Sequence, residues 1–267
     1  MKTRVLGAIL IILIFIPILL LGGMTFAIAA TVLALGAMYE LIHIRQKKKN
    51  FPFIVKLFAY VLIVVFLLMN YKQDIFSYNM DYHMIALLIF AFLFPILFMN
   101  KKEDVYNIND ALYLIGALLF LTISFNLLLL IRNYSLNYLI YLILITTITD
   151  IFAFLTGKYI GKHKLSPTIS PNKTWEGFVG GLLMGTFVAT TFYTTVIDPH
   201  VSLVLVIFVT AFLSVVGQMG DLVFSSIKRT FKTKDYSNII PGHGGILDRF
   251  DSLIFVVLAF VLVFGII

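Results

Sequence analysis

The 267-residue sequence contains no cysteine, and only 12% of its residues are charged. The absence of cysteine excludes disulfide bridges and thiolate metal sites, so a bound metal would need oxygen or nitrogen ligands. The scarcity of charge excludes an ordinary soluble domain, in which about a quarter of the residues are charged.

Hydrophobic residues make up 61% of the chain, and its mean hydropathy is +1.02. This composition predicts an all-α, polytopic integral membrane protein with little mass outside the bilayer. The length allows about nine crossing helices of roughly 20 residues each. The predicted spans are residues 5–21, 24–44, 53–69, 84–99, 111–132, 138–157, 175–196, 201–224 and 252–267. Gly22 and Gly23 predict a tight turn between the first two spans.

The first residues are similar to a secretory signal peptide, because MKTR is followed by an apolar run. The run is longer than a usual signal core, however, and hydrophobic sequence continues past the candidate cleavage site at Ala27-Ile28-Ala29. We therefore expect this segment to be retained as the first span.

Lysine and arginine fall mainly on one side of the predicted spans. With the N-terminus in the cytoplasm, all but two of the 20 basic residues lie inside, and only Lys72 and Arg132 lie outside. The positive-inside rule therefore predicts that the N-terminus is inside and the C-terminus outside. The same bias accounts for the net charge of +7, and we expect no nucleic-acid partner because aromatic residues do not alternate with the basic ones.

Polar residues with unusual placement concentrate in the last four predicted spans. We divide the chain into residues 1–135, five spans that supply scaffold, dimer and lipid contacts, and residues 136–267, a catalytic region with cytoplasmic loops at 158–174 and 228–251. Glu40 is the exception in the first region. It is either a helix-end residue satisfied by arginine or water, or a residue that lines the polar site.

The eighth predicted span carries a polar stripe. Asp221, Ser225, Lys228 and Lys232 are spaced by four, three and four residues, which predicts one helical face. Asp221 lies in apolar surroundings, where a lone charge costs on the order of 3 kcal/mol. Such a carboxylate needs a compensating partner, and the stripe would bring a metal, a phosphate and a lipid headgroup together.

The segment that follows combines glycines with carboxylates. Asp248 and Asp251 are three residues apart at the first turn of the last span and, with Asp221, form a candidate Mg²⁺ site. Glycines at 242, 244 and 245 allow backbone amides to approach an anion closely. His243 is either a general acid or phosphate donor, or a residue that only caps the loop.

Two further features point to the same site. Asp150 lies among threonines in the sixth span. It is either a structural aspartate bonded to hydroxyls of a neighbouring helix or a site carboxylate, and we expect a site carboxylate that faces the bundle interior because a lipid-facing one is costly. The loop before the seventh span places lysines next to Ser170-Pro171, and a helix is predicted to begin near Lys173. A lysine and free amides at a helix start suit a phosphate group. The alternative is that the lysines of this loop only set the orientation of the chain in the membrane. That alternative would not explain why Glu176 is present.

These motifs resemble those of the phosphatidate cytidylyltransferases, or CDP-diacylglycerol synthases, over about residues 145–255. The longest run of matching positions is Ser225, Ile227, Lys228, Arg229, Lys234, Asp235, Ser237, Ile240, Pro241, His243, Gly244, Gly245, Ile246, Asp248, Arg249, Phe250 and Asp251. A second motif consists of Ser170, Pro171, Asn172, Lys173, Thr174, Glu176 and Gly177, and a third of Asp150, Ala153 and Gly157.

The resemblance implies that CTP and phosphatidic acid react to CDP-diacylglycerol and pyrophosphate with Mg²⁺ required, and it leaves room for a second cation. It implies an all-helical homodimer in the inner (cytoplasmic) membrane, with its active site facing the cytoplasm. Asp221, Asp248 and Asp251 are expected to bind metal, and the expected catalytic residues are these three with Lys228, Arg229 and His243. The expected substrate-binding residues are Asp150, Ser170, Asn172, Lys173, Thr174, Glu176, Ser225, Lys232, Lys234, Gly244, Gly245 and Arg249.

Two other functions stay open from the sequence. The first is a CTP-dependent transferase acting on another lipid, such as an ether-lipid phosphate or an isoprenoid alcohol. The second is a cation-coupled transporter with Asp150, Asp221 and Asp248 along an ion path. Transporters of that kind often consist of two related halves. The crowding of polar residues into one half of this chain favours the enzyme.

Overall fold

A computed structural model describes residue 13 and residues 15–46, 50–76, 82–99, 106–239 and 244–265. These residues form eight α-helices and one β-hairpin. The helices are α1 (Gly23–Gln46), α2 (Phe53–Met69), α3 (Tyr82–Met99), α4 (Ile108–Tyr134), α5 (Leu136–Tyr159), α6 (Trp175–Phe192), α7 (Leu203–Thr230) and α8 (Leu247–Val263). Residues 15–21 are helical as well. His243, residues 5–12 and 14 of the first predicted span, and residues 266 and 267 of the last predicted span lie outside the described residues.

Six of these helices are long and apolar enough to cross a membrane, namely α1, α3, α4, α5, α7 and α6 with its extension to Ile197. This extension, Tyr193–Ile197, is a π-helix. Helix α2 is apolar but has 17 residues, one fewer than α3, the shortest of the six. The prediction of an all-α membrane protein is therefore confirmed, whereas nine crossings and their orientation stay predictions.

The two helices that carry the predicted acids extend beyond the hydropathy limits. Helix α7 continues to Thr230 and includes Lys228, and α8 begins at Leu247 and includes both Asp248 and Asp251. Lys232 does not belong to the predicted stripe, because α7 has ended and this residue has a φ of 56°. Its place in the helical face was therefore predicted wrongly.

The loop between α5 and α6 folds into an antiparallel hairpin, which the sequence predicted only as a rigid loop. Strand β1 (Lys164–Ser166) pairs with β2 (Ser170–Thr174), with Lys164 opposite Thr174 and Ser166 opposite Ser170. Proline at 171 favours extended backbone at Ser170. Helix α6 begins at Trp175 rather than near Lys173, because the Thr174 side chain accepts a bond from the Gly177 amide and caps the helix.

The chain divides into two compact units. Unit 1 comprises Met1–Tyr134 and Asp235–Leu247, and unit 2 comprises Ser135–Lys234 and Asp248–Ile267. Residues 235–247, which the sequence analysis assigned to the C-terminal region, thus belong to the same unit as the N-terminal helices.

Unit 1 is built around α1, which contacts α2 and α4. Alanines at 27, 30, 34 and 37 are fully or almost fully buried on one face, so neighbouring backbones can approach closely. Polar bonds fix the helix ends: the Tyr113 hydroxyl donates to the Leu41 carbonyl at 2.8 Å, and Arg45 pairs with Asp110 at 3.1 Å.

The predicted turn at Gly22-Gly23 is confirmed, since both glycines have positive φ, 63° and 50°. Arg132 donates to the carbonyls of Leu19 and Leu20 at 2.6 and 3.0 Å, just before this turn. It therefore satisfies carbonyl groups that the end of helical segment 15–21 leaves without a helical partner.

Unit 2 holds α5 and α6 together through a stripe of glycines. Gly177, Gly181 and Gly185 follow one another at intervals of four residues on α6, and all three are buried. A Cβ atom at Gly177 would lie 2.6 Å from the Ala153 carbonyl oxygen, and one at Gly181 would lie 2.6 Å from that of Thr149. Only glycine permits this approach, which brings the hairpin and α6 next to the face of α5 that carries Asp150.

Candidate active site

A cavity of about 460 Å³ lies in unit 2 between α5, the hairpin, α6 and α7. This volume falls in the range of small-molecule sites. Its polar lining consists mainly of Asp150, Asn172, Lys173, Thr174, Gln218 and Asp221. Five of these six, all except Gln218, are predicted site residues.

Lys173 and Asp221 form an ion pair on the wall of this cavity. The Lys173 Nζ atom lies 2.6 Å from Asp221 Oδ2 and 3.4 Å from the backbone carbonyl of Gln218. About a quarter of each side chain is exposed. Strand β2 places the lysine and α7 the aspartate, so the hairpin brings a cation to an acid that lies 48 residues away in sequence.

Lys228 and Asp248 form a second pair, with 2.7 Å between Nζ and Oδ1. Their side chains are only 10% and 7% exposed. Lys228 lies two helical turns after Asp221 on α7, and Asp248 is the second residue of α8. Removing one partner of such a buried pair typically costs about 3 to 5 kcal/mol, because the other charge is left uncompensated.

Asp150 and Asp251 complete an acidic group around Asp221. Both are close enough to Asp221 to interact with it electrostatically. Asp150 also interacts with Lys173, and Asp251 also interacts with Lys228. Each lysine therefore serves two carboxylates. Thr149, beside Asp150, bonds to Ser214 at 2.9 Å and fixes α5 against α7 at this level.

The chemistry of the acidic group fits Mg²⁺. The ion prefers oxygen ligands and often takes only one or two carboxylates, with substrate phosphates and water completing its shell. The mutual repulsion of Asp150, Asp221 and Asp251 would fall if a cation bound among them. No three acidic or histidine side chains of the described residues converge enough to hold an ion alone. The metal set Asp221, Asp248 and Asp251 thus stays a prediction.

The remaining predicted residues of the hairpin support its geometry. Glu176 accepts from the backbone amide of His163 at 3.2 Å and lies 2.6 Å from His163 Nδ1. Arg229 donates to the carbonyls of Ile169 and Thr233 at 3.1 and 3.0 Å. Ser170 pairs with Ser166 in the sheet. These contacts tie the hairpin to α6 and α7, while Asn172 and Thr174 line the cavity directly.

The last group of predicted residues is more dispersed. Ser225 donates to Asp221 at 3.3 Å, as its spacing on α7 predicted. Lys232, Lys234 and Arg249 are exposed. Gly244, with a φ of 85°, and the buried Gly245 belong to unit 1 rather than to the unit that contains the cavity.

Glu40 has a structural role in unit 1 that the sequence did not identify. Its side chain is fully buried and accepts bonds from the Ser237 hydroxyl at 2.6 Å and from the amides of Ile246 and Leu247 at 2.7 and 2.8 Å. A side chain at Gly245 would collide with this carboxyl group. The sequence analysis offered a helix-end residue satisfied by arginine or water as one interpretation of Glu40. A structural role is correct, but the partners in these three bonds are a hydroxyl and two backbone amides.

Sequence reasoning also missed part of the cavity wall. Gln218 donates its side-chain amide to the Phe178 carbonyl at 3.2 Å, and it lies one helical turn before Asp221. Lys158 lines the cavity with its ammonium group 6.0 Å from the Phe154 ring centre. The spacing of Gln218 from Asp221 was the available signal for the first, whereas Lys158 looked like an ordinary loop lysine.

Apolar helices that surround a cavity with paired carboxylates and ammonium groups are typical of a membrane enzyme that acts on phosphate-bearing substrates. The comparison with known families is consistent with this class. A model described as the cytidylyltransferase family matches residues 2–267. The chain belongs to the cytidylyltransferase family.

Several curated relatives align over nearly the whole chain. The phosphatidate cytidylyltransferase of Staphylococcus haemolyticus is 38% identical over 257 residues, and that of Staphylococcus saprophyticus is 37% identical over the same length; both alignments cover 96% of each chain. The enzyme of that name from Staphylococcus aureus is 38% identical over 256 residues, again with 96% of each chain covered.

Proposed function

We propose that this protein transfers a cytidylyl group from CTP to phosphatidic acid and releases pyrophosphate, giving CDP-diacylglycerol for phospholipid synthesis. The observation that carries the proposal is the pair of lysine–aspartate contacts, Lys173–Asp221 and Lys228–Asp248, the first of which lies on the cavity wall. Two anionic substrates must meet in this reaction, and the two ammonium groups can neutralise their phosphates. The names of the relatives support the choice of substrates.

In the reaction, a phosphate oxygen of phosphatidic acid attacks the α-phosphorus of CTP, and the bond to the β-phosphate oxygen breaks. The enzyme forms no covalent intermediate, so its contribution is to position two like-charged substrates and stabilise the charge that develops on the leaving pyrophosphate. Lys173 and Lys228 hold phosphate oxygens. Asn172 donates its amide to the substrate from the hairpin side of the cavity.

Asp221, Asp248 and Asp251 are the residues that would hold Mg²⁺, and Asp150 is a nearby carboxylate for a second cation. When bound, the metal neutralises triphosphate oxygens and stabilises the leaving group. The described residues need substrate oxygens to complete the shell of such an ion. The metal should therefore bind more tightly when the nucleotide is present.

The membrane setting follows from the solubility of the two substrates. Phosphatidic acid stays in the bilayer by its acyl chains, whereas CTP is dissolved in the cytoplasm, so the site must open at the cytoplasmic edge of the inner membrane. The bias of lysine and arginine supports nine crossings with the N-terminus inside. We also propose that the protein is a homodimer, and this part of the proposal rests on the resemblance to the family alone.

A related function is transfer to a different lipid, such as an ether-lipid phosphate or an isoprenoid alcohol. The polar site would be the same in both cases, because the acyl chains contact only apolar side chains. A cation-coupled transporter is the second alternative. The pairing of Asp221 and Asp248 with lysines disfavours an ion path, since each ammonium group competes with the transported cation.

The test is a product assay on the purified full-length protein in detergent–lipid micelles. Labelled CTP is supplied with phosphatidic acid, an archaeal-type ether-lipid phosphate or dolichol, each with Mg²⁺ and with EDTA, and products are separated by thin-layer chromatography. We expect labelled CDP-diacylglycerol from phosphatidic acid only, and only with Mg²⁺. A faster reaction with either other lipid, or cation uptake into proteoliposomes without CTP consumption, would contradict the proposal.

A further inference from the structure

The Lys173–Asp221 pair presents a conflict between two roles. Asp221 is expected to bind a cation, yet one of its carboxylate oxygens is 2.6 Å from the Lys173 ammonium group. Lys173 is expected to bind phosphate, yet its ammonium group is directed to Asp221 and to the Gln218 carbonyl at 3.4 Å. While the two residues bind each other, that carboxylate oxygen is not available to a cation and that ammonium donor is not available to a phosphate.

Charge balance resolves the conflict. Asp150, Asp221 and Asp251 repel one another, and Lys173 offsets both Asp150 and Asp221. A divalent cation bound to the acids would repel the ammonium group of Lys173. Nucleotide phosphates arriving with that cation would attract the same ammonium group, so the lysine can move from carboxylate to phosphate without leaving a charge uncompensated.

The surroundings of Lys173 permit such a movement. Its side chain is 26% exposed, compared with 10% for Lys228, and it borders a cavity of about 460 Å³. A lysine also has a flexible four-carbon stem and donors that rotate freely, so it can change partners at low cost. Lys228 is held in a nearly buried pair, so a phosphate would have to reach it there without separating it from Asp248.

We propose that Lys173 is an exchangeable counter-ion: it neutralises Asp221 before substrates bind and transfers to a substrate phosphate when a divalent cation takes its place on Asp221. The proposal rests on the proposed function for the identity of the phosphate. The competition between lysine and cation does not depend on it. Lys173 therefore weakens cation binding in the absence of nucleotide and strengthens nucleotide binding in the presence of the cation.

The test is a titration of Mn²⁺, followed by electron paramagnetic resonance, on the purified full-length protein without CTP or lipid. We compare the wild type with Lys173→Met, which should bind Mn²⁺ about fivefold to tenfold more tightly because the competitor is gone. The matched control is Lys158→Met, which removes one positive charge from the same cavity. Its Mn²⁺ affinity should change less than about twofold, because Lys158 lies over the rings of Phe154 and Tyr159 instead.

Two further variants keep the result interpretable. Lys173→Arg should bind Mn²⁺ more weakly than the wild type, because a guanidinium group can pair with the carboxylate through two bonds. Asp221→Asn combined with Lys173→Met should lose the gain. Equal gains for Lys158→Met and Lys173→Met, or no gain for Lys173→Met, would overturn the proposal.

The titration and the product assay separate this proposal from the proposed function. If Lys173→Met gains Mn²⁺ affinity but the wild type makes no CDP-diacylglycerol, only the proposed function fails. If the wild type makes CDP-diacylglycerol but the Mn²⁺ affinity does not rise, only the exchange of Lys173 fails. The titration uses the metal alone, so it also reveals a folding defect. Such a defect would lower Mn²⁺ binding in both Lys173→Met and Lys173→Arg, whereas the proposal expects a gain in the first variant and a loss in the second.

Discussion

Glu40 of unit 1 is stabilised in a different way from Asp221 and Asp248 of unit 2. In unit 1, Glu40 is fully buried and accepts three bonds from neutral donors, namely the Ser237 hydroxyl and the amides of Ile246 and Leu247. In unit 2, Asp221 and Asp248 pair with the ammonium groups of Lys173 and Lys228. Backbone amides cannot leave a carboxyl group while the fold persists, whereas a lysine can exchange partners.

The difference separates a structural acid from acids available for chemistry. Glu40 fixes the chain before α8 by bonds that span about 200 residues of sequence. The acids of unit 2 lie beside a cavity and repel one another, so they are poised to accept a cation. We therefore expect substitutions of Glu40 to change stability and substitutions of the unit 2 acids to change turnover. A substitution of Asp248 should lower stability as well, because its pair with Lys228 is nearly buried.

The largest effect is expected from Asp221→Asn and Asp248→Asn. Each substitution keeps the size of the side chain but removes the charge that would hold the metal, so kcat should fall by at least about a hundredfold. The measurement is the formation of CDP-diacylglycerol from CTP and phosphatidic acid, with size-exclusion chromatography in detergent to check that each variant remains folded.

The control for this comparison is Asp198→Asn. Asp198 follows the last turn of the extended α6 and accepts a bond from the amide of His200 at 2.8 Å in an exposed loop. Its activity should match the wild type. Turnover near the wild-type value in Asp221→Asn or Asp248→Asn would refute their assignment to the active site.

The next effect is on stability, from Glu40→Ala. The substitution leaves one hydroxyl and two amides without their acceptor in a buried place, and each such loss costs about 1 to 3 kcal/mol. We expect the free energy of unfolding to fall by about 3 kcal/mol or more, measured by denaturant titration in detergent. Glu40→Gln retains one acceptor oxygen and should lose less.

Hydrogen exchange distinguishes this role from a catalytic one. The amides of Ile246 and Leu247 should exchange faster in Glu40→Ala, and Ser237→Ala should reproduce only part of the loss because it removes a single donor. If Glu40→Ala instead lowered kcat and left both unfolding and exchange unchanged, the contrast between the two units would be wrong.

Several parts of the fold were predictable because they depend on local composition. Apolar runs predicted where the described helices lie, although α7 and α8 extend beyond the hydropathy limits, and Gly22-Gly23 predicted the turn before α1. The four-residue interval between Asp221 and Ser225 predicted their contact on α7. Each of these features is determined by residues close together in sequence, where helical periodicity applies.

Features that depend on distant residues were not predictable. The hairpin lies in a segment rich in proline and lysine, and its pairing partners became evident only in the structure. The partner of Glu40 is separated from it by about 200 residues, and no local pattern indicates such a bond. The ion pair between Lys173 and Asp221, which are 48 residues apart, was missed for the same reason.

A smaller effect is expected from glycine-to-alanine substitutions, which compare how tightly one helix of each unit is packed. In unit 2, Gly181→Ala would place a Cβ atom 2.6 Å from the Thr149 carbonyl oxygen and 2.9 Å from Ala153 Cβ, so we expect a loss of about 1 to 3 kcal/mol in unfolding free energy. In unit 1, Gly116→Ala on α4 meets no atom within 4 Å and should stabilise the helix by up to about 1 kcal/mol. In one unfolding assay, Gly181→Ala should lower the free energy of unfolding and Gly116→Ala should raise it. A change of the same sign in both variants would contradict this difference in packing.

The smallest effect is expected from Lys173→Ala, and it concerns substrate binding. Asp221 would remain free to bind the metal, but one phosphate contact would be lost, so the KM for CTP or phosphatidic acid should rise about tenfold while kcat changes less. The measurement is steady-state kinetics at saturating concentration of the other substrate, with Lys158→Ala as the matched lysine of the same cavity. Unchanged KM values for both substrates, with a defect in kcat alone, would remove Lys173 from phosphate binding. Lys173 would then resemble Glu40, a residue that positions its neighbours without contacting the substrates.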